Sequence, residues 1–128
     1  MTVKIIDASA FAAIAFQERE QTEMLARTEG HELHAPALLR FEIANVCLKK
    51  IRRQQPDREL LLSQHQASRS IVVEEHTINP PAVLELAERF NLSACDARYL
   101  WLARELDGEL VTLDARLARA ASEIQSSS

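Results

Sequence analysis

Short β-prone runs recur along this chain, each separated from the next by one or two helix-length stretches, and that alternation restricts the fold more than any other feature. Val3 to Ile6 is apolar, too short for a helix and bounded by Asp7, so it reads as a buried strand. His31 to Ala35, Ile71 to Glu74 and Glu109 to Leu113 supply three further candidate strands. Helical pattern runs from Ala8 to Phe16 and from Glu18 to Glu29, where Gly30 ends it. Pro36 opens a long helix through Arg53, Gln54 to Pro56 break it, and another helix spans Asp57 to Arg69. Asn79 with Pro80 and Pro81 forms an N-cap and first turn leading into Ala82 to Phe90. Ser93 begins the next helix, which ends at Gly108, and Ala115 to Ile124 is the last. Parallel strands need crossovers of this length and take them right-handed. The expectation is therefore a three-layer α/β/α fold around a central, mostly parallel sheet of four to five strands, in one domain over residues 1–125, with a disordered tail at 126–128.

A chain of 128 residues is long enough to bury roughly two-thirds of its unfolded surface around one core. No apolar run approaches the ~20 residues of a bilayer span, and Asp7 interrupts the first apolar stretch before it resembles a secretion signal, so a cytoplasmic protein without membrane contact is expected. Cys47 and Cys95 each fall in an apolar helical pattern, which suits reduced, buried thiols. A net charge of −4 speaks against a generic nucleic-acid coat. Between Arg40 and Arg58, however, six basic residues face two acidic ones, and Lys49, Lys50, Arg52 and Arg53 make a local arm able to meet a phosphate backbone. The same residues also suit a solvated helix C-terminus.

In open parallel sheets, ligands bind beyond the carboxyl ends of the strands. Asp7 follows the first strand and Asp114 the fourth, so the topology delivers both acids to one rim. Each precedes a helix and also suits an N-cap. Glu42 shares its helix face with Leu38, Leu39 and Val46, and Asp96 shares one with Tyr99, Leu100 and Ala103, so both carboxylates point toward the protein. Ser93 to Asp96 has, in addition, the outline of a capping box. Taken together, four carboxylates crowded at ~4 Å would repel by a few kcal/mol per pair at an effective dielectric near 20. Mg²⁺, or Mn²⁺, relieves that repulsion through oxygen ligands while keeping waters for attack on a phosphodiester.

The segments carrying these acids are Ile5-Ile6-Asp7-Ala8-Ser9-Ala10, Phe41-Glu42-Ile43-Ala44-Asn45-Val46, Leu92 to Leu100 and Leu110 to Asp114. In that order they resemble the successive motifs of PIN-domain ribonucleases, and most closely those of VapC-like toxins from toxin–antitoxin pairs. The resemblance spans nearly the whole chain. It implies a PIN-like fold, a metal site of Asp7, Glu42, Asp96 and Asp114, and hydroxyl support from Ser9 and Thr112, with Asn45 one turn from Glu42 able to orient it. It also implies a homodimer, a cognate VapB-like antitoxin whose C-terminal segment covers the acidic groove, and a structured RNA substrate, tRNA or ribosomal RNA, cut in a loop.

Other classes fit less well. Gly30 and Gly108 are the only glycines and neither forms a phosphate-binding loop. His31, His34, His65 and His76 are not spaced with cysteines as zinc ligands, and read as core or surface histidines. Trp101 and Phe90 read as core or dimer-surface aromatics. The alternative from another class is a non-catalytic module that uses the basic arm to hold RNA, or the acidic groove to hold a basic peptide.

Overall fold

The computed structural model describes residues 3–53 and 57–126. The described elements are β1 (Val3–Ile6), α1 (Ala8–Ala15), α2 (Gln21–Thr28), β2 (Glu32–Pro36), α3 (Leu39–Arg52), α4 (Arg58–Ser68), β3 (Glu74–His76), α5 (Pro80–Phe90), α6 (Ala94–Leu106), β4 (Glu109–Val111) and α7 (Ala115–Ser126). The four strands form one sheet in the order β3-β2-β1-β4, and every pairing is parallel. This is the expected three-layer α/β/α arrangement, with the sheet wholly rather than mostly parallel among the described residues. The break placed at residues 54–56 and the end of the expected tail, 127–128, lie outside the described residues. Ser126 is the last residue of α7 rather than the first of a tail.

Several boundaries move, each for a local reason. The third strand is Glu74–His76 instead of Ile71 to Glu74. Ile71 is still tied to the end of α4, its N–H donating to Ser68 O at 3.1 Å, and Val72 is 86% exposed. Sheet pairing begins only where Glu74 meets His34. A charged three-residue strand suits an edge position, where an apolar one would invite pairing with another chain. Pro36 ends β2 instead of opening the long helix, and α3 starts at Leu39. Leu38 is left-handed (φ 84°) and offers no side-chain cap; the Leu39 N–H instead donates to Glu75 Oε1 at 3.2 Å, a cap supplied by the neighbouring strand. β4 ends at Val111 because the backbone beyond it turns to side-chain partners, the Leu113 N–H to Ser9 Oγ and the Asp114 N–H to Thr112 Oγ1.

Ile5, Ile6, Phe11, Met24, Leu39, Ile43, Leu100 and Leu117 fill the core. Burying each large apolar side chain contributes about 1.5–3 kcal/mol. α6 is buried on every side from Ala97 to Ala103 and packs against β1, β2 and β4 as well as α5 and α7, so it is an internal helix and Trp101 is a core residue. Its exit is tight: the Gly108 N–H donates to Ala103 O at 2.9 Å, and a Cβ on Gly108 would stand 2.4 Å from Ile5 Cδ1. Cys47 is buried as expected, but Cys95 is exposed, because it lies in the first turn of α6 before the helix enters the core.

Candidate active site

Asp7 caps α1 at the carboxyl end of β1 and is 5% exposed. Its Oδ1 accepts from the Ala10 N–H (3.0 Å) and from Ser9 Oγ (2.7 Å), while Oδ2 accepts from Thr112 Oγ1 (2.5 Å). Thr112 in turn accepts the Asp114 N–H at 2.9 Å, and Ser9 accepts the Leu113 N–H at 3.0 Å. Asp114 caps α7, its Oδ1 accepting from the N–H groups of Arg116 (2.9 Å) and Leu117 (3.2 Å). Ser9 and Thr112 thus join the first and fourth strand ends. Burial pushes the Asp7 carboxyl above its ordinary value; the three donors act against this, and the nearby Asp114 charge adds to it.

Glu42 is built differently. It lies on the first turn of α3, half-buried, and one oxygen, Oε1, accepts from both Arg98 Nη2 (2.7 Å) and Tyr99 Oη (2.6 Å) of α6. Arg98 is 4% exposed, and its remaining donors go to Ala37 O (2.6 Å) and Cys95 O (3.0 Å). Burial opposes the guanidinium charge, but the bond to Glu42 and its charge outweigh that and hold Arg98 protonated above its usual range. Burial, then the Glu42 bond and charge, raise the Tyr99 phenol, and the Asp7 charge contributes in the same direction.

Asp96 is half-buried in the first turn of α6, where its N–H donates to Ser93 Oγ at 3.1 Å. Only the Ser93 half of the capping box forms: the Asp96 carboxylate does not reach back to the Ser93 N–H and has no protein partner among the described residues. Asn45 is exposed and takes no part in holding Glu42. Arg98 does that work, and reading the sequence missed it; the signal was an arginine inside the apolar run Ala97 to Ala103. Of the basic arm, Lys50 is paired with Glu18 (2.7 Å) and lies over the Phe16 ring, while Lys49, Arg52 and Arg53 are exposed. Lys50 and Arg53 line a groove of about 620 Å³ with Phe16, Leu60 and Gln64.

Among the described residues, no three of the four acids bring their oxygens within 4.8 Å of one another. The four acids therefore do not crowd at ~4 Å as one set: hydroxyls and helix N-termini hold Asp7 and Asp114, and Arg98 holds Glu42. The donor set still fits a hard cation. It contains only oxygens, and Mg²⁺ takes one or two carboxylates directly and reaches others through retained waters.

A parallel α/β/α sheet with Asp7 and Asp114 beyond its carboxyl edge is the arrangement expected of a PIN-class protein. The PIN domain family model matches residues 4–123, and the chain belongs to that family. Within it, the chain is 30% identical over 125 residues to Ribonuclease VapC3 of Pyrobaculum aerophilum, covering 89% of this chain and 91% of that protein, so the VapC-like resemblance of its motifs holds. The crystal structure of PAE2754 from the same organism superimposes with a TM-score of 0.74 at 22% identity, over 98% of this chain and 88% of that one. Mycobacterium tuberculosis VapC20, described as a Sarcin-Ricin loop cleaving toxin, gives a TM-score of 0.63 at 14% identity over 91% and 94% of the two chains. These two likenesses establish the fold.

Proposed function

We propose that the protein is a metal-dependent endoribonuclease of the VapC toxin type, hydrolysing phosphodiester bonds in loops of structured RNA, tRNA or ribosomal RNA. The observation that carries this reading is the buried Asp7 carboxylate, held beyond the sheet by neutral donors and near the Asp114 charge, with no protein cation on it among the described residues. Asp7, Asp96 and Asp114 would hold Mg²⁺ or Mn²⁺, with the free oxygen of Glu42 completing the site. When bound, such an ion makes a water more acidic and stabilises charge on the leaving oxygen. Ser9 and Thr112 fix the Asp7 carboxylate in place, and Arg98 with Tyr99 fixes Glu42. Unpaired loops are the natural substrate, because A-form duplex hides its base edges in a narrow major groove. Lys49, Arg52 and Arg53 offer phosphate contacts, with Lys50 partly committed to Glu18. The family reading extends to a homodimer, a VapB-like antitoxin that covers the acids, and a cytoplasmic setting; among the described residues no helix is long and apolar enough to cross a membrane.

One observation favours a second reading. Arg98 already neutralises Glu42, as it would in a non-catalytic module that binds RNA or a basic peptide. Incubating total cellular RNA with the purified protein in Mg²⁺, Mn²⁺ or EDTA, beside Asp96→Asn, separates the two. Discrete metal-dependent cuts lost in the variant are expected; tight RNA binding in EDTA with no cuts under any condition would establish the binding module.

A further inference from the structure

Two strands from β1, the pairing of β2 with the edge strand β3 assembles a group of different chemistry. His34 lies opposite Glu74 and Pro36 opposite His76. Alternation along each strand therefore sets His34, Glu74 and His76 on one face of the sheet. His34 Nδ1 is 2.8 Å from His76 Nε2 and 3.5 Å from Glu74 Oε2, and all three ligand atoms lie within 4.8 Å of one another. Bonds of about 2.0–2.1 Å to a tetrahedral Zn²⁺ separate its ligand atoms by about 3.3 Å, close to both spacings. The other nitrogen of His34, Nε2, lies 3.1 Å from Glu32 Oε1. A carboxylate on that nitrogen fixes the tautomer with the proton on Nε2, the usual support of a ligating histidine. The Nδ1 lone pair, which accepts from His76 Nε2–H in the metal-free protein, then turns to a metal once His76 carries its proton on Nδ1. His34 is 6% exposed, so this orientation is set by packing as well as by Glu32.

We propose that His34, Glu74 and His76 form a second metal site, for Zn²⁺, with Glu32 orienting His34. Two imidazoles and a carboxylate select a borderline ion, in contrast to the oxygen-only rim. The histidines are 42 residues apart, and the register of the sheet supplies the proximity that their spacing in the chain lacks. The ion clips the three-residue edge strand β3 to β2. That strand carries Glu75, which caps α3, and the His76 carbonyl, which accepts the Ala37 N–H at 2.7 Å. The site stands independently of the nuclease reading.

The full chain, stripped with chelator and dialysed against Zn²⁺ in excess Mg²⁺, is expected to retain one zinc per chain and to rise in Tm. His76→Ala and Glu74→Gln, both at the solvent-facing edge, should lose the zinc and the rise while keeping the circular dichroism of the parent. Glu32→Gln should weaken binding roughly 10-fold or more. Asp7→Asn should retain it, and Co²⁺ in place of Zn²⁺ should give visible absorption bands that vanish in His76→Ala. A parent chain that retains no zinc has a plain imidazole–imidazole hydrogen bond here, which overturns the site. Zinc held equally by His76→Ala and Glu74→Gln, or lost only in Asp7→Asn, overturns it too.

Discussion

Glu109 opens β4 and Asp7 lies beyond the other end of the same strand pair, yet their surroundings are opposite. The Glu109 side chain is 55% exposed and meets two cations, Lys4 Nζ at 2.9 Å and Arg27 Nη2 at 3.2 Å. The bond from Lys4, opposed by partial burial and aided by Arg27, holds its carboxyl below the ordinary value. Asp7 is buried, is held only by an amide and two hydroxyls, and is pushed up. Two cations sit on an exposed acid and Arg98 sits on Glu42, yet among the described residues none sits on Asp7, the most buried carboxylate. That end of the sheet is where an ion from solution has something to gain.

The largest effect should come from removing the charge there. Asp7→Asn keeps the Oδ1 acceptor for Ala10 and Ser9, so α1 stays capped. Its RNA cleavage rate in Mg²⁺ should nonetheless fall at least about 100-fold, the order seen when one electrostatic or acid–base group is lost. Near-parental cleavage kinetics would mean that the contrast between the two sheet ends has no catalytic meaning.

Next in size is the acid that does have an internal cation. Arg98→Met removes the partner of Glu42 and the donor to the Ala37 carbonyl. Breaking such a pair should cost about 3 kcal/mol in denaturant unfolding. Adding Glu42→Gln should recover part of the loss, and a double-mutant cycle measures how much of it is the pair itself. If both single variants unfold like the parent, Arg98 is a passenger and Glu42 stands as free as Asp96.

The shifted Asp7 makes a pH prediction for the metal-free protein. A carboxyl whose folded-state value lies above its unfolded 3.8 stabilises most below the unfolded value, and that contribution is lost as pH rises through the folded one. In EDTA at pH 7, Asp7→Asn should therefore melt above the parent, with the gap closing as pH falls toward about 3.8. Mg²⁺ should raise the parent and leave the variant nearly unmoved. Parallel melting curves across the whole pH range would show that the site tolerates the charge without cost.

Much of this contrast was legible in the residues, and the exceptions follow one rule. Strand alternation, with Asp7 directly after the first strand and Asp114 three residues past the last, brings these two acids to one edge whatever the side chains do locally. Caps at Asn79 and Ser93 rest on contacts three residues apart and were readable for the same reason. What escaped depends on pairing across the chain. The β-branched run Ile71 to Val73 has strand propensity but no partner, and the strand forms at Glu74 because His34 lies opposite. Arg98 finds Glu42 56 residues away, and Glu75 caps α3 from 36 residues away. Neither distance leaves a periodic trace.

The smallest effect tests the other end of the comparison. In Glu109→Gln, Lys4 and Arg27 lose a charged partner, but all three groups are at least partly in solvent, so screening leaves little energy in the pairs. The loss in unfolding free energy should be no more than about 1 kcal/mol, and it should shrink further at high salt. Because Glu109 is held below its ordinary value, its contribution should be present at neutral pH and fade as pH falls through the folded-state value, the reverse of Asp7. A large, salt-insensitive loss would show that Glu109 anchors the amino end of the sheet as firmly as the hydroxyl network holds the carboxyl end. The two ends would then differ in the direction in which their carboxyls are displaced and not in strength.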